Sequence, residues 1–574
     1  MKVFRFLFCL LVFSSLAFCD DYEKFAPKEV PQEPGKILKE EKKYSDFIDT
    51  DRKILVKNLN SLILVNDPSV VNTIPVHDYE GVIVYGFEID DEEKLKDELS
   101  SFINEPVTIH TFDKIRSVII GFYKDHGLPI VGVAFPVGQD ISSGRVQALI
   151  MIGKLGRVKV ENQQWFSKID LSDEIKTMPG DYIYSKQMLQ DLEWLNQNPF
   201  QTVNILYEKG KEFSETDIVL KVKDRFPMRY YAGFEDTGQQ FAGPNRWFVG
   251  INCGNMFGAG HQMNVQFISA EKTNKWWGFT GSYLAPLPWR NNLKLLGSYI
   301  KTRPSIDSVT DMIGRNYVFG LRYEYPWRYN ISLKQMLTFG YDFKRTNNFL
   351  SYAQTLVYNK YIDISQFLIR GEWTLEDRLG STVFGAQVYV SPGNMMKGNT
   401  DSRFDQERAG ADSSYFYALF NIDRLTRLPK DFSWSITSLF QVATAKLMPS
   451  EQFSIGGFLT VRGYQENEII GDQGILIKNE LRFPPIKFLL NAKKFKNQLQ
   501  PLAFVDFGWA DDIDKNIMSK NAAILASIGL GFRYNLNNII DVRYDYGWQL
   551  KRPTGRFFEE TYDSRHHFGV LVAF

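Results

Sequence analysis

The stretch Tyr317-Val318-Phe319-Gly320-Leu321-Arg322-Tyr323-Glu324-Tyr325 sorts its side chains by alternation. The odd positions are all large and apolar or aromatic, while Gly320, Arg322 and Glu324 face the other way. Successive side chains of a strand point to opposite faces, so this period of two is a strand between two unlike environments. Val542, Tyr544, Tyr546, Trp548 and Leu550 repeat it against Arg543, Asp545, Gly547 and Gln549, and GHQMNVQFISA (260–270) sets Met263, Val265 and Phe267 on one side. A soluble sandwich alternates too, because one sheet face meets a core. The polar face discriminates here. It carries Arg, Asp, Glu, Gln and Gly, and aromatics crowd the other face toward the strand ends, as in a lipid-facing barrel with a hydrated lumen.

Working outward, this pattern holds from about 227 to the last residue, a span of 348 residues. Shared among about 16 strands, that leaves roughly 22 residues for each strand and its connection, ample for tilted strands of about 9 to 11 residues. The closing sequence HHFGVLVAF sets Phe568, Val570, Val572 and Phe574 on one face. Aromatic residues make up 15% of the chain, and Lys+Arg and Asp+Glu are equal at 67 each. That balance leaves no basic footprint for nucleic acid and no steering by global charge. No apolar stretch beyond the N-terminus is long enough for a spanning helix, so a membrane form must be a closed barrel, which satisfies every backbone group in lipid.

The N-terminal part is built differently. MKVFRFLFCLLVFSSLAFCD has a cationic start, an apolar core from Phe6 to Phe13 and small residues at Ser15 and Ala17, and is expected to be a signal peptide over 1–19. Cleavage after Ala17 and after Cys19 both fit; bulky Phe18 disfavours a lipoprotein site at Cys19. Residues 20–50 are charged and proline-punctuated, a linker by composition, with ILKEEKKYSDFID able to form a short helix. From 51 to 226 compact α+β units follow. DDEEKLKDELSSFIN and TFDKIRSVIIGFYKDHG are helical in pattern, and PIVGVAFPV and RVQALIMIG are strand-like. Then GRVKVEN reads as a strand, IDLSDEIKTM and YSKQMLQDLEWLNQN as helices, and QTVNILYEKG and TDIVLKVKD as strands. Two units are expected, 51–152 and 153–226. Outside the signal region only Cys253 remains, so no internal disulfide framework is available.

Motifs then narrow the class. SIGGFLTVRGYQENEIIG (454–471) places Val461-Arg462-Gly463-Tyr464 after a Gly456-Gly457 pair. Downstream come Phe504 and Asp506 within PLAFVDFG, and Glu480 within NELR. GLPIVGVAFPVGQDISSGRV (127–146) and LNQNPFQTVNI (195–205) lie in the α+β region. With these residues the chain resembles the transporter half of two-partner secretion, the haemolysin and haemagglutinin secretion/activation family of POTRA-containing barrels. Gly138 departs from that family's proline-rich spelling.

The resemblance implies an all-β transmembrane barrel of about 16 antiparallel strands over 227–574, preceded by two small α+β POTRA domains. It implies an outer-membrane transporter that captures an unfolded secreted partner on periplasmic POTRA domains and passes it through the barrel. Residues 20–50 would be a linker or a plug. Arg462 on an inward-folded loop needs an acid, since a guanidinium stays charged and its fork matches a carboxylate. Asp506 is the expected partner, with Phe504 beside it and Glu480 as second acid. In a partly hydrated channel the pair should contribute well under the ~3–5 kcal/mol lost on breaking a buried one. Phe568, Val570, Val572 and Phe574 would form the signal read by the barrel assembly machinery.

Two other readings stand beside this one: an insertion factor of the same superfamily, and a passive porin-like barrel. The six histidines, His77, His110, His126, His261, His566 and His567, show no zinc-site spacing. No P-loop, dinucleotide fingerprint or nucleophile elbow is present in the sequence. The expectation is a non-enzyme without cofactor or metal, with the secreted partner, outer-membrane lipid and the assembly machinery as its partners and no nucleic acid.

Overall fold

The computed structural model describes residues 22, 25–38, 54–71, 73–74, 80–239, 242–303, 310–330, 333–352, 355–487, 497–513, 523–551 and 563–574. The expected signal segment, His77 and all but Ile37 and Leu38 of the short helix expected over 37–49 lie outside them. The chain divides into two compact units, one of Pro34–Gln197 with Gln201–Asp224, the other of Met1–Glu33, Asn198–Phe200 and Arg225–Phe574.

The first unit holds two four-stranded sheets. In chain order its elements are β1 (Ile37–Leu38), β2 (Ser61–Val65), β3 (Gly81–Tyr85), α1 (Glu92–Ser100), α2 (Ile109–Asp125), β4 (Val131–Ala134), β5 (Arg145–Ile152), β6 (Lys154–Glu161), α3 (Ser185–Leu195), β7 (Gln201–Lys209) and β8 (Glu215–Asp224). One sheet runs β3-β2-β5-β4, the other β1-β7-β8-β6. Thr108 caps α2 reciprocally with Thr111, and α2 buries Ile115, Ile119, Phe122 and Tyr123, spaced to form one helical face. That face packs with Leu95 and Leu99 of α1 on Leu62, Leu64, Val146 and Ala148.

Three sequence expectations change here. Strands β2 and β3 precede the helices where no strand had been singled out. IDLSDEIKTM, expected to be helical, forms one 3-10 turn, Leu171–Glu174, capped by the Asp170 side chain. Ile37 and Leu38 are a strand, not the start of a helix, and pair in parallel with Ile205 and Leu206 of β7.

The second unit is a closed barrel of 16 antiparallel strands. They are β9 (Met228–Glu235), β10 (Arg246–Met256), β11 (His261–Ala270), β12 (Trp276–Pro286), β13 (Asn292–Thr302), β14 (Thr310–Asn330), β15 (Leu333–Tyr352), β16 (Thr355–Glu376), β17 (Gly380–Pro392), β18 (Ser414–Arg427), β19 (Ser433–Ala443), β22 (Gln473–Arg482), β23 (Asn497–Asp511), β24 (Ala523–Leu536), β25 (Ile540–Gln549) and β26 (Ser564–Ala573). A two-stranded ribbon, β20 (Phe453–Ile455) with β21 (Ile469–Gly471), interrupts the order inside the β19–β22 connection. Closure pairs Gly569–Ala573 of β26 with Tyr231–Glu235 of β9, so the ladder has no free edge. None of the described helices is long and apolar enough to cross a membrane.

The alternation read from the sequence sorts outside from inside. Tyr317, Phe319, Leu321 and Tyr325 are exposed on the outer wall, whereas Arg322 is buried and pairs with Asp342 at 2.6 Å. At the end where β9 begins, connections such as 287–291 and 537–539 are short. The opposite, far end carries the long connections 393–413 and 444–472. These fold inward and build the barrel's main apolar cluster, with Phe404, Leu447, Met448, Phe453 and Val461 packed on lumen-facing Tyr389, Tyr417, Leu439 and Leu476. These side chains are buried from solvent, because the loops supply the core that the wall's inward Tyr and Leu residues require.

Candidate functional site

The β19–β22 connection must bury a stretch of irregular backbone, whose N–H and C=O groups all need partners. Two glycines start the inward turn: Gly456 and Gly457 have φ of +102° and +115°. A Cβ at Gly457 would also lie 2.3 Å from the Glu466 carboxylate, which accepts from the Phe458 N–H at 2.6 Å. Lumen side chains take the carbonyls that follow. Arg543 donates to Phe458 O (2.8 Å), and Lys478 Nζ donates to Leu459 O (2.8 Å).

At the tip, Arg462 is fully buried. Its Nε donates to Asp506 Oδ2 (2.7 Å), its Nη2 to Oδ1 (2.8 Å) and its backbone N–H to Oδ2 (3.2 Å). The bidentate fork is the strong form of this interaction. Nη1 donates to Glu480 Oε1 at 2.7 Å and lies 3.5 Å from Asp545 Oδ1. The guanidinium carbon stands 3.6 Å from the centre of the Phe504 ring, a cation-π contact in a dry site. Phe504 and Asp506 face inward because their neighbours Val505 and Phe507 are exposed on the outer wall.

Burial corrects the expectation of a partly hydrated pair. Arg462 and Asp506 are both at 0% exposure. Two of the three acids are shared with further cations, while among the described residues Asp506 is held by Arg462 alone. Glu480 accepts from Arg482 (2.8 Å), and Asp545 accepts from Arg533 (2.8 Å) and Arg543 (2.8 Å). In this setting charges are stable only as a complete network.

The remaining motif residues fix the tip. Gly463 has φ +90°, its N–H donates to His567 Nε2 (3.0 Å), and its carbonyl accepts from Gln549 Nε2 (2.7 Å). Tyr464 Oη lies 2.7 Å from Ala526 O and 2.6 Å from Lys551 O, donating to one of them, and accepts from the Ala526 N–H (3.2 Å). Val461 is buried in the apolar cluster, where a Cβ on Gly508 would reach its Cγ2 at 2.8 Å. Gly547 comes as close, and to backbone: its Cβ position is 2.8 Å from Cα and N of Gly463.

His567 and His566 point to opposite faces, His566 outward beside Tyr544. No described cluster of His, Cys, Asp and Glu could hold a metal. Phe568 and Phe574 are exposed on the outer wall, with Val570 and Val572 between them in the same facing set. Phe574 closes the seam by its backbone alone, donating to Tyr230 O (2.8 Å) and accepting from the Tyr230 N–H (3.1 Å).

Two other motif stretches take positions in the barrel unit. Asn198 Nδ2 donates to Gly254 O (2.6 Å) and Gly260 O (3.2 Å), while its Oδ1 accepts from the Phe200 N–H (3.1 Å). Of the segment 20–50, Phe25 to Glu29 lines the lumen face of β9–β12. Phe25 O accepts from Thr280 (2.8 Å), the Lys28 N–H donates to Tyr231 Oη (3.0 Å), Lys28 O accepts from Asn252 (2.9 Å), and Phe25 packs on Trp276.

Sequence reading did not assign Asp545, Gly547, Gln549, Arg533, Arg543 or His567 to the site. Four of them had a signal. Arg543, Asp545, Gly547 and Gln549 are the whole polar face of the alternating strand 542–550, and each touches the loop or its ion network.

Against known proteins, the family described as haemolysin secretion/activation protein ShlB/FhaC/HecB matches residues 214–534. The heme/hemopexin transporter protein HuxB of Haemophilus influenzae (strain 86-028NP) is 22% identical over 474 residues, covering 77% of this chain and 79% of that protein. The outer membrane transporter CdiB-2 of Burkholderia pseudomallei (strain 1026b) is 24% identical over 370 residues, covering 62% and 61%. Among solved structures, CdiB from Escherichia coli superimposes with a TM-score of 0.70 at 15% identity, over 90% of each chain. CdiB from Acinetobacter baumannii gives 0.59 at 14% identity, again over 90% of each.

Proposed function

The chain belongs to the haemolysin secretion/activation protein family, and from that premise we propose that it is an outer-membrane transporter that takes up one secreted partner on its α+β units in the periplasm and passes it outward through the barrel. The observation that carries the reading is the VRGY tip, seated on Phe504 and Asp506 inside a closed 16-strand barrel. A passive porin needs no such internal anchor on a loop that fills its own lumen. The two sheets favour an extended, unfolded cargo, because a strand added to a sheet edge is held by main-chain hydrogen bonds with little demand on sequence. Folding of the cargo outside supplies direction, and the chain does no catalysis.

Deletion of residues 51–152 is the test. It removes the sheet β3-β2-β5-β4 and leaves the barrel, which closes its own edges. The expected result is loss of the partner from the medium with a heat-modifiable barrel still in the outer membrane. Secretion at the full-length level would remove the first α+β unit from the receptor role.

The assembly signal has its own test. Phe574 is 78% exposed, so its side chain adds little to the finished barrel. Phe574→Ala keeps both seam hydrogen bonds. It is expected to lower the yield of assembled barrel severalfold while leaving the melting temperature of what does assemble unchanged. Equal yields would exclude the terminal ring as a signal to the assembly machinery.

A further inference from the structure

The far mouth carries a second ion-pair node, separate from the VRGY lock. In the connection 393–413, helix α4 (Asp401–Glu407) buries Phe404 completely, and Asp401 Oδ1 accepts from the N–H (2.9 Å) and Oγ (2.6 Å) of Ser413. The connection is thus a folded element. Just after α4, Arg408 forms a fork on Asp472, Nη1 to Oδ1 and Nη2 to Oδ2 (3.0 Å). The same guanidinium donates to Asp512 Oδ1 (2.8 Å) and to the Leu447 carbonyl (2.6 Å). Asp472, itself fully buried, also accepts from the backbone N–H groups of Leu447 (3.0 Å) and Ile513 (3.2 Å).

These contacts tie one side chain to the connections 393–413 and 444–472 and to Asp512, just past the end of β23, all at the same end of the barrel. Asp472 lies where the 444–472 loop rejoins the wall, ten residues after its Arg462 tip. We propose that Arg408 pins the connections 393–413 and 444–472 to each other and to Asp512 as a lid over the far mouth, and that the lid opens for a passing polypeptide when Arg408 releases Asp472 and Asp512. The two locks differ in the way this requires. The Arg462 side chain is at 0% exposure, whereas that of Arg408 is at 18%, open to water and counter-ions at the rim. Asp472 is as buried as Asp506, so the difference lies in the cation and in its second acid: Arg408 and Asp512 both reach water, and a guanidinium that water can take up releases more readily than one that it cannot. The inference rests on the transport reading for its purpose, but its test needs no cargo.

Purified full-length protein in planar bilayers bathed in KCl gives the readout. Arg408→Ala is expected to raise mean conductance per barrel severalfold, with Asp472→Asn acting in the same direction. Arg408→Lys should fall between them and the wild type, because an ammonium keeps the charge but cannot fork. Heat-modifiable mobility should be unchanged throughout, which a general loss of structure would not allow. Wild-type conductance in an assembled Arg408→Ala barrel overturns the proposal. If Arg408→Ala fails to assemble, Arg408→Lys and Asp512→Asn, which keep the side-chain volume, carry the test, and wild-type conductance in both overturns it equally. A wild-type chain that secretes no partner would instead count against the transport reading and leave the conductance result standing.

Discussion

Arg462→Ala is expected to abolish export of the partner while leaving the barrel assembled in the outer membrane. All the hydrogen bonds described for Asp506 come from Arg462, two from the guanidinium and one from its backbone N–H. Truncation leaves a fully buried carboxylate without its counter-ion, and breaking such a pair from one side costs about 3–5 kcal/mol. That is a shift of a hundredfold or more in the balance between docked and undocked loop. The strand ladder does not pass through the loop, since β19 pairs directly with β22, so assembly should persist. Asp506→Ala should impair export comparably, and the double variant should be little worse than either, because the second change removes a partner already lost. Fully additive losses would separate the two residues. Arg462→Asp with Asp506→Arg should restore little, since Glu480 and Asp545 would then face a new carboxylate.

How much of this was legible follows from the range of the interactions involved. Outer-wall alternation is set by each residue's own environment, lipid or lumen, so 317–325 and 542–550 could be read alone. The motif order likewise placed Arg462, Phe504, Asp506 and Glu480 together. The dryness of the site could not be read, because it comes from connections that close over it from distant parts of the chain. Phe404 and Leu447 reach the same apolar cluster as Val461 from connections far away in sequence. Local signals also lost to tertiary pairing. Helical patterning over 169–178 ends ahead of Pro179, which disfavours helix at the residue before it. Beyond it, Gly180, Asp181 and Ile183 hydrogen-bond with Gly153 and Leu155. Strand β1 is two residues long, too short for any period to declare it.

Gly547→Ala should remove export nearly as completely as Arg462→Ala, although it changes no charge and no hydrogen-bonding side chain. An added Cβ would stand 2.8 Å from Cα and N of Gly463 and 3.0 Å from the Arg462 carbonyl carbon, closer than real contacts allow. These are backbone atoms, so no rotamer change relieves the clash, and either the tip or strand β25 must move. The strand is held on both sides, Gly547 facing Gly529 of β24 and Arg565 of β26, and alanine weakens a strand no more than the glycine it replaces. The tip is therefore the part that yields, taking Arg462 off Asp506 and Gly463 off His567 and Gln549. Trypsin reports this directly: Arg462 is fully buried in the folded barrel, so cleavage after it should be absent in the wild type and appear in Gly547→Ala. Gly569→Ala is the matched control, another inward glycine, whose Cβ would meet only side-chain atoms of Phe458 and Glu235 at 3.1 Å or more. Those side chains can shift, so this variant should export normally and stay protected. A Gly547→Ala barrel that exports normally and resists trypsin at Arg462 would mean that the tip tolerates displacement. Close approach of the two glycines would then not be what seats the lock.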